Sequence, residues 1–183
     1  MYFSKPGPDC TEETVRIAIE AARERGIRHV VVASNTGRTA WRLQSLLPDV
    51  NVVVVTHAYG YAGPGKIELA DEERGRLLAA GFRVYTGTHI LSGIERGMRA
   101  SYGGLGPAET IAYTLRMFGQ GTKVCVECSA MAMDGGCIPH GVDVLAIGGS
   151  GSGADTAVIL RPAHAANVLS TKIREFLCKP AIF

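Results

Sequence analysis

Ser34-Asn35-Thr36-Gly37-Arg38-Thr39-Ala40 is the stretch whose reading decides the fold. It follows the apolar run Val30-Val31-Val32-Ala33, which reads as a buried strand. It leads into Thr39 to Leu47, which reads as a helix stopped by Pro48. A strand, a tight turn carrying hydroxyls and a glycine, and then a helix N-terminus together suit a phosphate. The first helical turn has N–H groups without internal partners, and its dipole favours an anion. Gly37 has no Cβ, so the backbone can approach closely. Ser34, Thr36 and Thr39 can donate hydroxyls, and Arg38 supplies charge. A plain N-cap turn is the competing explanation. Such a cap needs one polar side chain, whereas several surround Gly37 here.

Working outward, Thr11 reads as the N-cap of a helix with Glu12 and Glu13 in its first turn and Gly26 past its end. Residues 1 to 10 read as an arm or loop. Asn51 to Thr56, with four consecutive valines, reads as a strand buried on both faces, as in parallel sheets covered by helices. The spacing further predicts helices over Asp71 to Ala80, Ser92 to Ala100, Pro107 to Phe118, Ser129 to Gly135 and Ser170 to Leu177. It predicts strands over Phe82 to Thr86, Lys123 to Glu127, Val142 to Ile147 and Asp155 to Leu160, the last strand antiparallel. This alternation predicts one α/β domain over residues 1–183, three-layered, with a mainly parallel sheet and helices on both faces.

The totals agree with that fold class. A chain of 183 residues with 46% hydrophobic content can bury a sizeable core, and 23 glycines suit tight loops. A net charge of +2 without basic runs argues against nucleic acid as a partner. No apolar run reaches the ~20 residues of a membrane span. Met1 to Pro6 lacks the apolar segment of a secretory signal. These features predict a soluble, cytoplasmic protein. Five cysteines, an odd number at low density, read as reduced thiols. Cys125 and Cys128 have CxxC spacing, but on the expected strand they point to opposite faces, which favours core thiols over a metal site.

In parallel sheets the carboxyl ends of the strands share one edge, where ligands bind. The loops expected there carry the site candidates: Ser34, Asn35, Thr36, Gly37, Arg38 and Thr39 in the first; His57, Tyr59 and Gly60 in the second; His89 in the third; Gly149, Ser150, Gly151 and Asp155 in the last. His57 and His89 read either as proton donors or phosphate partners, or as loop histidines bonded to backbone. Tyr59 and Tyr61 read either as stacking surfaces for a flat ring or as ordinary loop tyrosines. Arg96, Glu127 and Cys128 are further candidates for the pocket wall.

From Ala33 to Ala40 the chain resembles the carboxy-terminal α/β domain of pyruvate kinase, in which a Ser/Thr-x-Ser/Thr-Gly-Arg/Lys-Ser/Thr-Ala loop grips an effector phosphate in some members. Gly148 to Gly153 and the strand after it resemble that domain's later effector loop. Gly103-Gly104-Leu105-Gly106-Pro107, Arg116 to Gly121 and Gly153 to Ala157 resemble a family of stand-alone prokaryotic proteins of this fold. The resemblance does not extend to the barrel that carries kinase chemistry, so kinase activity is not implied. Ser34, Thr36, Gly37 and Thr39 also match the flavodoxin phosphate loop, Ser/Thr-x-Thr-Gly-x-Thr, although the helix before the first strand departs from flavodoxin order. The resemblances imply a binder of a phosphorylated small molecule, with FMN as the leading cofactor expectation. A flavin would make the chain an oxidoreductase or electron carrier. The alternative is a regulatory module that binds a sugar phosphate or nucleotide. A homo-oligomer is expected in either case.

Overall fold

The valine runs of β2 (His29–Ala33) and β3 (Asn51–Thr56) lie side by side in parallel, Val30 against Val52 through Ala33 against Val55. The computed structural model describes Met1–Phe183. Around this pair the sheet has seven strands in the order β1-β7-β6-β5-β2-β3-β4. β4 (Arg83–Thr86) extends it in parallel beside β3, and β5 (Val144–Gly148) runs parallel to β2. β6 (Thr156–Arg161) is antiparallel to β5 and to β7 (Lys172–Pro180), and β1 (Tyr2–Phe3) pairs in parallel with β7 at the edge.

Alternation sends the strand side chains to two cores. Val30, Val32, Val52, Val54, Leu145 and Ile147 meet α1 (Thr11–Glu24), Ala40 of α2 (Arg38–Trp41) and Leu77 of α3 (Asp71–Ala79). Val31, Val53, Val55, Val144 and Ala146 meet α6 (Gln120–Asp134) on the other face. Burying each of these valines contributes roughly 1.5–3 kcal/mol relative to leaving it in water. The continuous apolar runs exist because both faces are covered. α4 (Gly93–Tyr102) and α5 (Pro107–Arg116) follow β4, with α5 packed on α6 and α4 packed on α5.

Several boundaries differ from the sequence reading. Lys123 to Glu127 is not a strand but the first half of α6, continuous with the helix expected over Ser129 to Gly135. α6 is buried along nearly its whole length, so it lacks the polar face that announces a helix, and its local β preference loses to packing. Ser170 to Leu177 is not a helix: a 3-10 turn ends at Ser170 and β7 follows. Two register shifts in the β6–β7 pairing explain the misleading spacing. They send Ile173 and Phe176 to one core and Leu177 and Cys178 to the other, which imitates helical periodicity. The helix expected over Thr39 to Leu47 stops at Trp41 and gives way to a 3-10 turn over Gln44–Leu46. Residues 1 to 10 hold β1 and a 3-10 turn rather than a loose arm. Thr11 sits inside α1, and its Oγ1 accepts the Ala154 N–H at 3.0 Å instead of capping. No helix is long and apolar enough to cross a membrane.

Candidate functional site

At the carboxyl edge of β2 and β3 a cavity of about 930 Å³ opens between the strand-end loops, the second glycine loop and the inner faces of α4, α5 and α6. The first loop begins where Ser34 N–H makes a last sheet-like bond to Val55 O at 3.0 Å. Gly37 then takes the left-handed conformation, φ 82°, on the side where the Glu73 and Leu77 side chains leave no room for a Cβ. A Cβ there would lie 3.1 Å from Glu73 Oε1, so glycine is required twice over. The N–H groups of Asn35 to Ala40 donate to no protein group. α2 is a single turn, so its dipole adds little and an anion here would be held by loop amides, the Thr39 and Ser34 hydroxyls and Arg38.

Asn35 joins this loop to the second. Its Oδ1 accepts the His57 N–H at 3.1 Å, which turns Nδ2 toward His57 Nε2 at 3.2 Å. Nε2 is therefore the acceptor, and Nδ1–H donates to Glu68 Oε2 at 2.5 Å. Tyr61 lies against His57 with ring centroids 3.9 Å apart and planes tilted by 33°, and the Arg96 guanidinium sits 5.0 Å from the Tyr61 ring centroid. His89 is 5.4 Å from His57, ring to ring, and its Nε2 faces the Ala58 N–H at 3.4 Å. Burial pushes His89 below the ordinary histidine pKa; Glu127 opposes this, while His57, Lys123 and Arg96 reinforce it.

The far wall comes from helices. Lys123 and Glu127, one turn apart on α6, form a buried ion pair at 6% and 4% exposure. Glu127 Oε1 also accepts the Leu91 N–H at 3.0 Å, which ties the loop carrying His89 to α6. Glu109, Ala112, Tyr113 and Arg116 line the cavity from one face of α5. Arg99 Nε bonds Glu109 Oε1 at 3.0 Å. Arg42 is paired with Glu12 and Lys123 with Glu127, but Arg38, Arg96 and Arg116 have no carboxylate partner. The cavity thus has cationic capacity to spare.

The structure brings Ser34, Asn35, Thr36, Arg38, Thr39, His57, His89, Gly149 and Gly151 to one cavity. Gly37 shapes its rim from beneath. Tyr59 is 67% exposed and turned away from it, and Gly60 closes the turn by donating to Lys66 O at 2.7 Å. Ser150 does not line the cavity; Ser152 does. Asp155, a site candidate from the last loop, is fully buried. Its carboxylate accepts the Gly7 and Ser150 N–H groups at 3.2 and 3.0 Å and the Thr156 hydroxyl at 2.7 Å, so it pins the glycine loop instead. Lys123, Glu109, Glu68 and Arg99 were not among the expected site residues. The i,i+4 spacing of Lys123 and Glu127 was the available signal, hidden by the strand assignment.

Cys125 and Cys128 are one helical turn apart on α6; Cys128 lines the cavity, as expected, and Cys125 lies in the core beneath it. Burial pushes the Cys128 thiol up to about 12 and Cys125 well above its usual value, which disfavours the thiolate in both.

A sequence profile for the pyruvate kinase alpha/beta domain matches residues 12–160. Among solved structures, a pyruvate kinase from Cryptosporidium parvum aligns with 19% identity over 87% of this chain and 24% of its own length, TM-score 0.45. The Cryptosporidium parvum enzyme in complex with ADP gives 19% identity over 86% of this chain and 24% of its own length, TM-score 0.42. A further structure of that enzyme gives 18% identity over 93% and 23%, TM-score 0.39. The chain spans about a quarter of the length of these pyruvate kinases. With the profile match covering most of its residues, the chain belongs to the pyruvate kinase alpha/beta domain family.

Proposed function

We propose that this chain binds a phosphorylated small molecule, with FMN as the best-fitting ligand, in the cavity at the carboxyl ends of β2 and β3. The observation that carries this reading is the run of unpartnered N–H groups from Asn35 to Ala40, opening beside Arg38 onto a cavity of about 930 Å³. Gly37, Thr39 and Ala40 are buried and Asn35 is half-buried; amides without acceptors are costly there, and a phosphate would satisfy several at once. Flat surfaces next to that loop support a ring-bearing ligand. Tyr61, His57 and His89 form an aromatic cluster with ring centroids 3.9–5.4 Å apart. A bound flavin would supply redox chemistry of its own, making the chain an oxidoreductase or electron carrier.

A second reading, a regulatory module for a sugar phosphate or nucleotide, is favoured by the hydroxyl- and cation-rich lining and by the two glycine loops meeting at one cavity. One titration series separates the two: FMN, riboflavin and ribose 5-phosphate added to the purified chain. Tight FMN binding, with riboflavin at least tenfold weaker, supports the flavin reading. Ribose 5-phosphate binding as tightly as FMN supports the sugar-phosphate module. Binding of none of the three contradicts the phosphate site.

A further inference from the structure

α4 is held over the cavity without a core of its own. None of its residues is buried. Its apolar side chains Ile94, Met98 and Tyr102 are 81%, 56% and 86% exposed, so none of them anchors the helix. Ser92, Arg96 and Arg99, spaced four and three residues apart, share the face that lines the cavity. Polar contacts fasten that face. Glu95 accepts the Ala108 and Glu109 N–H groups of α5 at 3.3 and 3.0 Å. Arg99 Nε meets Glu109 Oε1, and Arg96 meets the Tyr61 ring. The Arg99–Glu109 pair uses one carboxylate oxygen; Glu109 Oε2 is buried and has no hydrogen-bond partner. A two-pronged arginine–carboxylate pair is the stronger form, so this contact is a releasable one.

The chain on either side of α4 fits a hinge. Before the helix, Leu91 is fixed: it is buried, and its N–H donates to Glu127 Oε1 at 3.0 Å. After it, Gly103 and Gly104 are both left-handed, φ 76° and 88°, and no other part of the protein lies within 4 Å of either Cβ position. Residues at the ends of an element absorb the rotations of a hinge, and unpacked glycines do so freely. We propose that α4 is a hinged lid. It swings as a rigid helix between Leu91 and the Gly103–Gly104 turn, with Glu95 and Arg99 as its latch on the first turn of α5. Opening exchanges the latch contacts for water at small net cost and draws no side chain of α4 out of a core. It uncovers the cavity and withdraws Arg96 and Arg99 from it, so access and positive charge are switched together. Hinge and latch need no ligand and are independent of the phosphate reading.

The Ala108 and Glu109 N–H groups report on the latch directly. First-turn amides have no acceptor within their own helix, and Glu95 is the acceptor these two have. Hydrogen exchange on the full chain should find both at least ~100-fold faster than the Leu91 N–H and insensitive to low urea. Glu109→Gln and Arg99→Met, two ways of breaking the latch pair, should each speed them a further ~10-fold and leave Leu91 unchanged. Gly97→Ala strengthens the helix at a position where a Cβ meets nothing within 4 Å, and should leave them as in the wild type. Alkylation of Cys128 in the cavity by iodoacetamide should quicken in both latch variants, while Cys125 in the core should react no faster. The comparison is between variants, so the slow chemistry of a buried thiol cancels. Ala108 and Glu109 amides as protected as Leu91, slower exchange of them in Gly97→Ala (the mark of a melting helix instead of a swinging one), or Cys128 alkylation indifferent to both latch variants would each overturn the lid.

Discussion

His57 Nδ1 lies 2.5 Å from Glu68 Oε2, and this contact fixes which edge of the imidazole faces Asn35. The carboxylate selects the Nδ1–H tautomer, which leaves Nε2 to accept from the Asn35 amide. Asn35 in turn begins the run of free amides. A residue far from that loop in sequence thus orients it. Glu68→Ala should free the ring and the Asn35 side chain, weakening FMN binding about tenfold, or ~1.4 kcal/mol. Because Glu68 is one-third exposed, thermal stability should change little. Calorimetric titration and a melting curve on the same sample check both halves.

His89 is held in its neutral form by burial. Its folded pKa lies below the unfolded value of about 6.5, so below that pH the unfolded chain binds more protons than the native one. The stability this group contributes is present above pH ~6.5 and is lost as pH falls toward the folded pKa. His29, also lowered chiefly by burial, acts in the same direction. Urea denaturation at a series of pH values between neutral and mildly acidic should show this loss, and His89→Gln should reduce it, leaving the part due to His29.

Lys123 and Glu127 should be far more sensitive singly than together. Removing Lys123 alone as Lys123→Met leaves a carboxylate buried at 4% exposure, a change that costs ~3–5 kcal/mol. The double variant Lys123→Met/Glu127→Leu should recover most of that loss, less the Leu91 N–H bond. Chemical denaturation of Lys123→Met, Glu127→Leu and the double variant checks the non-additivity. Equal losses in the single and double variants would show that the pair itself is not what is being measured.

Asp155 gathers the loop before β6, the turn at Gly7 and the Thr156 hydroxyl around one carboxylate. Asp155→Ala should cost ~3 kcal/mol, since charge-assisted bonds to a buried acceptor are lost together. Hydrogen exchange should rise at Gly7 and Ser150 first, because these N–H groups lose their acceptor.

The parallel β2–β3 pair was legible because Val30 to Val32 and Val52 to Val55 are apolar on both faces, a pattern only a covered sheet requires. The antiparallel β6 was legible from its short connection to β5. α6 was not, because a helix buried on every side shows no period, and Lys-Val-Cys-Val-Glu read locally as a strand. β7 was not, because two bulges gave Ile173, Phe176 and Leu177 a helix-like spacing. The strand-end side of the cavity was readable from Ser34 to Thr39, His57 and His89. Its helical side, with Lys123, Arg99 and Glu109, depends on where α4 to α6 pack, and chain-local pattern does not carry that information. Asp155 illustrates the same limit: an acid beside a glycine loop looks the same in sequence whether it faces a ligand or the loop's own amides.

The most direct measurement is a calorimetric titration of FMN into the wild-type chain and into Arg38→Met, with a visible absorption spectrum of the chain as purified. A phosphate seated on the Asn35 to Ala40 amides predicts saturable one-to-one binding to the wild type and at least tenfold weaker binding to Arg38→Met, a change at an exposed side chain. A colourless protein that neither binds FMN nor is affected at Arg38 would contradict it.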